Sequence, residues 1–285
     1  MAAIQDFDRR WIFLVMGVLV TTLYALGIAK ELTRSEYVDS YYATIEALPE
    51  GSVVMLSADF DPASAAELLP AYTATIHHLL KRRLKVINVA TWPAAPPYTR
   101  GEFNQIAPLY DAVYGEAWVS MGFLPGDDVA MGNIGQSMRS AFPEDDVTDT
   151  PYDELPILAD VGDNMEGIDL LITMSAGYPG ILEWIAQVGG RYDVPILAAT
   201  TAVQTPDLFA FYPTQCVGFL GAATGATRYL QLVDELTEGA VEEPKLKNQK
   251  RMMVQSWAHM FMIALIVIGN VIYFMGRSRE RRATA

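Results

Sequence analysis

Residues 168–190 read IDLLITMSAGYPGILEWIAQVGG. Leu170 to Met174 is a short apolar run in which only Thr173 is polar. A run of that length and composition fits a strand covered on both faces, as in a parallel sheet. Ser175-Ala176-Gly177 and Tyr178-Pro179-Gly180 then supply a turn. Ile181, Leu182, Trp184, Ile185 and Val188 recur at helical spacing, and Gly189-Gly190 stops the helix. This is one strand–loop–helix unit of an α/β fold.

Outward from it, the same signature repeats. Ser35 to Leu48 reads as an amphipathic helix with Ser35 as its N-cap. Ser52 to Ser57 is a first buried strand and Leu84 to Ala90 a second. Ala63 to Arg83 forms the helix between them, with Pro70 expected to kink or restart it. Strand, helix and strand make a βαβ unit of right-handed crossover. The proline-rich stretch Thr91 to Arg100 predicts irregular chain, Glu102 to Tyr114 a helix, Trp118 to Phe123 a short strand, and Val129 to Phe142 a helix. Pro143 to Asp163 is acidic and interrupted by Pro143, Pro151 and Pro156, an irregular excursion. Pro195 to Thr200 and Cys216 to Leu220 are further strands. Between them Thr201 to Tyr212 is a loop with a short helix, and a last helix runs through Leu236. The expected fold is α/β, a doubly wound and mostly parallel sheet of Rossmann or flavodoxin type over residues 36–241.

The flanks read differently. Trp11 to Ile28 and Trp257 to Met275 carry no Asp, Glu, Lys or Arg, and each approaches the ~20 residues that cross a bilayer as a helix. Trp11, Trp257 and Tyr273 stand near their ends, where aromatic rings favour the headgroup level. The expected layout is a tail over 1–10, spans over 11–29 and 257–275, a charged linker over 242–256 and a basic tail over 276–285. Arginines outside the spans equal in number the basic residues on the loop side, so charge does not orient the chain by itself. The closeness of the outer arginines to the spans favours an integral membrane protein with both termini cytoplasmic and the α/β domain extracytoplasmic. Within the second span, Asn270 beside Gly269 is a candidate for helix–helix contact; the alternative is an isolated polar residue near one leaflet.

Several phrases occur together: LSADFDP at 56–62, YGEAWVSMGFLPG at 114–126, SAGYPG at 175–180, FLGAATGA at 219–226, and QSWAHMFMIALIVIGNVIYF in the second apolar segment. With them the chain resembles an uncharacterised group of prokaryotic membrane proteins with one span at each end and an α/β domain between. The resemblance implies architecture and no chemistry.

A formal net charge of −14 excludes a nucleic-acid partner, which needs a basic surface. Ligands of open parallel sheets bind beyond the carboxyl ends of the strands. Those ends offer Asp59 and Asp61, Trp92, then Ser175, Gly177 and Tyr178, then Thr200 and Thr201, and finally Thr224. Together they form a candidate site for a small polar ligand. The competing reading makes Asp61, Ser175 and Thr224 caps or turn residues.

No catalytic set emerges. His77 and His78 are adjacent in mid-helix, and Ser175 lacks the leading glycine of a nucleophile elbow. Asp59 with Asp61, and Asp127 with Asp128, suit a hard cation no better than an ordinary turn. No His/Cys spacing suggests zinc, so no metal is expected. Gly132–Gly135 and Gly221–Gly225 lack the phosphate-binding lysine and the dinucleotide pattern, so no cofactor is expected. Cys216 reads as an inert core thiol. The function expected is a membrane-anchored binding or assembly module, a non-enzymatic scaffold, with homo-oligomers or membrane-complex subunits as partners. A receptor for a small polar ligand is the alternative, and a hydrolase or transferase using Asp59 or Asp61 is a second one.

Overall fold

The computed structural model describes residues 9–26, 34–159, 161–241, 254, 257–271 and 273. The chain divides into two units, one of residues 32–245 and one of the two terminal segments.

The larger unit holds six strands: β1 (Val53–Asp59), β2 (Lys85–Ala90), β3 (Trp118–Phe123), β4 (Leu170–Ser175), β5 (Ile196–Thr200) and β6 (Gly218–Gly221). Every pairing is parallel, and the spatial order is β3-β2-β1-β4-β5-β6. The chain builds outward from β1 to β3, returns across residues 124–169, and builds outward again from β4 to β6. The order thus reverses between β1 and β4, as in Rossmann-like sheets, and side chains there sit at a topological switch point.

The strands are apolar throughout because helices cover both faces. On one face α2 (Glu36–Glu46), α3 (Ala65–Lys81), α4 (Pro96–Ile106) and α10 (Ala222–Leu236) pack on Val54, Leu56, Val86, Leu170, Ile172 and Leu197. The other face presents Met55, Ile87, Val119, Leu171 and Ile196. It is covered by α5 (Asp127–Gln136), α6 (Met138–Ala141), the excursion that follows, and α7 (Ile181–Trp184), which runs through a π turn into α8 (Gly190–Tyr192). The remaining helix, α9 (Thr205–Leu208), lies between β5 and β6.

Three local expectations are revised. Thr91 to Arg100 is helical in its second half, because Pro96 and Pro97 occupy the first positions of α4, where a proline loses no hydrogen bond. Pro70 lies inside α3 without ending it. Ser35 precedes α2 but its side chain makes no capping bond.

The terminal unit corrects a larger expectation. Among the described residues no helix is long and apolar enough to cross a membrane. Residues Arg9–Leu26 are helical (α1), but two of these 18 residues are arginines. The remainder, Trp11–Leu26, rises about 24 Å at 1.5 Å per residue, against about 30 Å of bilayer hydrocarbon. Residues 257–271 are also helical. The two spans over 11–29 and 257–275 are therefore not supported, nor is the integral-membrane placement with cytoplasmic termini and an extracytoplasmic domain. Residues 27–29, 272 and 274–275 of those spans lie outside the described residues, as do 1–8 of the first tail, nearly all of the linker and the whole tail 276–285. Asn270 is exposed, and its amide donates to Ile266 O of its own helix at 3.0 Å.

Candidate functional site

Asp59 ends β1 at the switch point and is fully buried. Its carboxylate gathers groups from four elements. Oδ1 accepts from Ser57 Oγ (2.7 Å), Thr91 Oγ1 (2.6 Å) and Thr91 N (3.3 Å). Oδ2 accepts from Thr173 Oγ1 of β4 (2.7 Å) and Trp184 Nε1 of α7 (2.9 Å). Removing a carboxylate from water costs several kcal/mol unless its lone pairs are met, and here all are met. Burial pushes the carboxyl above its ordinary range, against the downward pull of the bonds from Thr91, Ser57, Thr173 and Trp184. The network fills the floor of the switch point between β1 and β4.

Its neighbours are also engaged. Ser175 is fully buried, and its Oγ accepts from Ile181 N (3.0 Å), capping α7. A Cβ on Gly180 would lie 2.0 Å from that oxygen, so the chain returns over Ser175 only with glycine there. Asp61 Oδ1 accepts from Ser64 N (3.0 Å) and Ser64 Oγ (2.7 Å) in the turn before α3. These bonds hold its carboxyl below the usual range. Asp61 and Ser175 thus act as turn and cap residues. Thr200 Oγ1 meets Thr205 Oγ1 at 3.1 Å. Thr224 is exposed in the first turn of α10, apart from this cluster.

Above the sealed floor lies a rim of loops. Trp92 Nε1 donates to Pro179 O (2.8 Å), and the ring stands against Gly177. Gln204 Nε2 donates to Gly177 O (3.2 Å), and Tyr178 OH donates to Asp128 Oδ1 (3.1 Å). Ala202 N reaches Glu67 Oε2 (2.9 Å). The structure therefore brings Trp92, Gly177, Tyr178 and Thr201 together over Asp59, Ser175 and Thr200. Two oxygens on this rim, Thr201 Oγ1 and Gln204 Oε1, are buried and have no hydrogen-bond partner. Gln204 and Asp128 were missed as rim residues; only the parallel topology brings them beside Tyr178.

Away from the rim, two polar clusters hold the helices and the excursion. His78 is fully buried; Glu46 Oε1 lies 2.8 Å from its Nε2 and Tyr229 OH lies 2.8 Å from its Nδ1. A carboxylate only accepts, so Nε2 carries the proton and Nδ1 accepts from the phenol. Burial pushes the imidazole down to about 4, although Glu46 pulls the other way. The triplet ties α2, α3 and α10 together in the core. His77, also buried, meets Tyr110 OH at 2.8 Å. In the excursion, buried Asp145 accepts from Val147 N (2.8 Å), Thr148 N (2.8 Å), Thr148 Oγ1 (2.7 Å), Thr150 N (2.9 Å) and Tyr114 OH. Burial alone would raise its carboxyl, but these bonds outweigh it and hold the group well below the usual range. Cys216 is a buried thiol that burial pushes up to about 12, which leaves it un-ionised at neutral pH.

At the amino edge of the sheet, two open clefts of about 470 and 480 Å³ flank the loop Asp111–Val113. One is lined by Arg83, Lys85, Glu50 and Glu116, and the other by Phe103, Tyr114 and Trp118. Among the described residues no group of three or more His, Cys, Asp or Glu is placed to hold a metal ion.

Fold and site define a Rossmann-like parallel α/β domain whose switch point holds a buried, fully hydrogen-bonded aspartate. No known family model matches this chain, and no curated protein matches it in sequence. The resemblance to two-span membrane proteins is accordingly corrected. Three of the five phrases that carried it are strand ends and turns: LSADFDP closes β1, SAGYPG links β4 to α7, and FLGAATGA joins β6 to α10. Such phrases follow from parallel α/β geometry and do not identify a family.

Proposed function

We propose that the α/β domain is a non-catalytic binding and assembly module. The observation that carries this reading is the consumption of the candidate chemical groups by the fold. Asp59 is saturated with donors, Ser175 caps α7, Asp61 closes a turn, and both histidines are buried away from the carboxyl-edge rim. A nucleophile or general base needs a free lone pair facing a substrate; Asp59 and Ser175 have theirs engaged inside the fold, and Asp61 is held in its turn through Oδ1. A phosphate ligand is also disfavoured. Where dinucleotide folds carry glycines after the first strand, this chain carries Asp59, Phe60 and Asp61.

Sedimentation of the full chain over a wide concentration range tests the assembly part. Reversible self-association is the expected outcome. A lone monomer at every concentration would count against it. A second reading, a receptor for a small polar ligand, draws support from the unpartnered oxygens of Thr201 and Gln204. The carboxylate-dependent hydrolase or transferase draws none from the geometry of Asp59 and Asp61.

A further inference from the structure

We propose that the carboxyl-edge rim around Tyr178, Asp127, Asp128 and the Val203–Gln204 turn docks a cationic amphipathic segment of a partner protein. The inference rests on the reading of the domain as a binding module and names the chemistry of what it binds.

Three independent features converge. The rim is apolar where a folded surface has no need to be: Val203 is 89% exposed, Val129 63% and Tyr178 61%. The segments that carry them are tied together: Gln204, the residue after Val203, bonds to Gly177, and Tyr178 bonds to Asp128, the residue before Val129. The rim is also acidic. The hydrogen bond to Asp128 and the charges of Asp128, Asp127 and Glu183 all raise the Tyr178 phenol. More widely, the stretch from Arg34 to Val241 carries 28 acidic against 9 basic residues. Finally, Gln204 and Thr201, 8% and 7% exposed, hold oxygens without partners. Gln204 cannot flip its amide to relieve this, because its nitrogen is fixed on Gly177 O and a flip would set two carbonyl oxygens face to face. An amide oxygen only accepts, so what satisfies it must bring an N–H or O–H.

A lysine- or arginine-bearing amphipathic segment answers all three. Its aliphatic residues cover Val129 and Val203, and its cations face Asp127 and Asp128. Its N–H groups supply donors, and the faces of Tyr178 and half-buried Trp92 accept cations. An acidic segment would be repelled, and a wholly apolar one would strip water from carboxylates without replacing it.

The test uses the full chain and a fluorescent peptide of alternating Lys and Leu blocks designed as an amphipathic helix, with a Glu/Leu counterpart. Anisotropy is followed at about 50 mM and about 500 mM salt. The Lys/Leu peptide is expected to bind, and to bind more weakly at the higher salt. Asp127→Asn/Asp128→Asn removes two of the rim's negative charges without a change of shape, and should weaken binding about tenfold. Glu116→Lys at the opposite edge should leave it unchanged. Equal affinity for wild type and the double variant would overturn the proposal, as would equal binding of the Glu/Leu peptide or no binding of the Lys/Leu peptide. Thermal melting of each variant confirms that the fold is intact. Self-association without peptide binding would leave the assembly reading standing and remove the cationic partner; absence of both would remove both.

Discussion

Two buried aspartates accept the same number of hydrogen bonds and hold opposite electrostatic positions. Asp59 takes four of its five bonds from rotatable or indole side chains, and its one backbone bond is long at 3.3 Å. Asp145 takes three from backbone N–H groups of its own loop, at 2.8–2.9 Å. Burial prevails at Asp59, whose carboxyl lies above the ordinary range, and hydrogen bonding prevails at Asp145, whose carboxyl lies well below it. Backbone donors cannot turn away and offer no lone pair, so they commit an oxygen to being an anion. Hydroxyl donors can rotate and serve a neutral carboxyl almost as well. The number of bonds is equal; the depth of burial differs, complete for Asp59 among the strands and shallower for Asp145 in the excursion, and the fixed backbone donors of Asp145 add to that difference.

The largest effects should come from replacing each aspartate with asparagine. At position 59 either orientation of the amide sets its NH₂ against an N–H that cannot reverse, Thr91 N on one side or Trp184 Nε1 on the other. Asp59→Asn is therefore expected to cost about 3 kcal/mol of global stability in urea unfolding. Asp145→Asn meets the same conflict with Val147 N, Thr148 N or Thr150 N. Its cost should be smaller, about 2 kcal/mol, and local. Hydrogen exchange should accelerate at residues 147–150 while the strands stay protected. An equal, global loss in both variants would erase the distinction between a core aspartate and a loop aspartate.

The two variants should also diverge with pH. A carboxyl held low stabilises the fold above its unfolded value near about 3.9, and loses that contribution as pH falls through its folded value. A carboxyl held high stabilises the fold below about 3.9, and loses that contribution as pH rises through its folded value. The penalty of Asp145→Asn should accordingly grow with rising pH, and that of Asp59→Asn should shrink. Unfolding midpoints of both variants and wild type across the acidic range would show the two trends. Parallel curves would mean that burial does not prevail at Asp59.

The same contrast explains what the sequence made legible. All six strands were readable because each is a short apolar run bounded by turns, and that pattern is local. Trp118–Phe123 was found to the residue, and the others to within a few residues at each end. The helix Pro96–Ile106 was hidden behind its prolines, which start a helix as readily as they prevent one. The two apolar termini invited a membrane reading by their length, composition and flanking residues, but among the described residues no helix is long and apolar enough to cross a membrane. At the switch point, the candidates Asp59, Ser175 and Thr200 were correctly placed at strand ends, but sequence could not say that the fold uses them up. Asp59 draws on Thr91, Thr173 and Trp184, which stand 32, 114 and 125 positions away. Asp145 is the reverse case. Except for Tyr114, its partners lie within five residues in DDVTDT, a local hydroxyl-and-amide pattern that an aspartate side chain can organise by itself.

A matched deletion isolates that principle at its smallest scale. Thr173→Val removes a hydroxyl donor from Asp59 Oδ2 and Thr148→Val removes one from Asp145 Oδ2, each with little change of volume. Thr173 is fully buried in β4, where no solvent stands ready to replace the bond and Oδ2 keeps only Trp184. Its loss should cost about 1.5 kcal/mol and push the Asp59 carboxyl further up. Thr148 is exposed, and Asp145 Oδ2 retains the backbone N–H of Thr150 while water takes the vacated place. There the cost should stay below about 0.5 kcal/mol. Equal costs would show that solvent access and the remaining donors do not matter, and that each carboxylate simply counts its bonds.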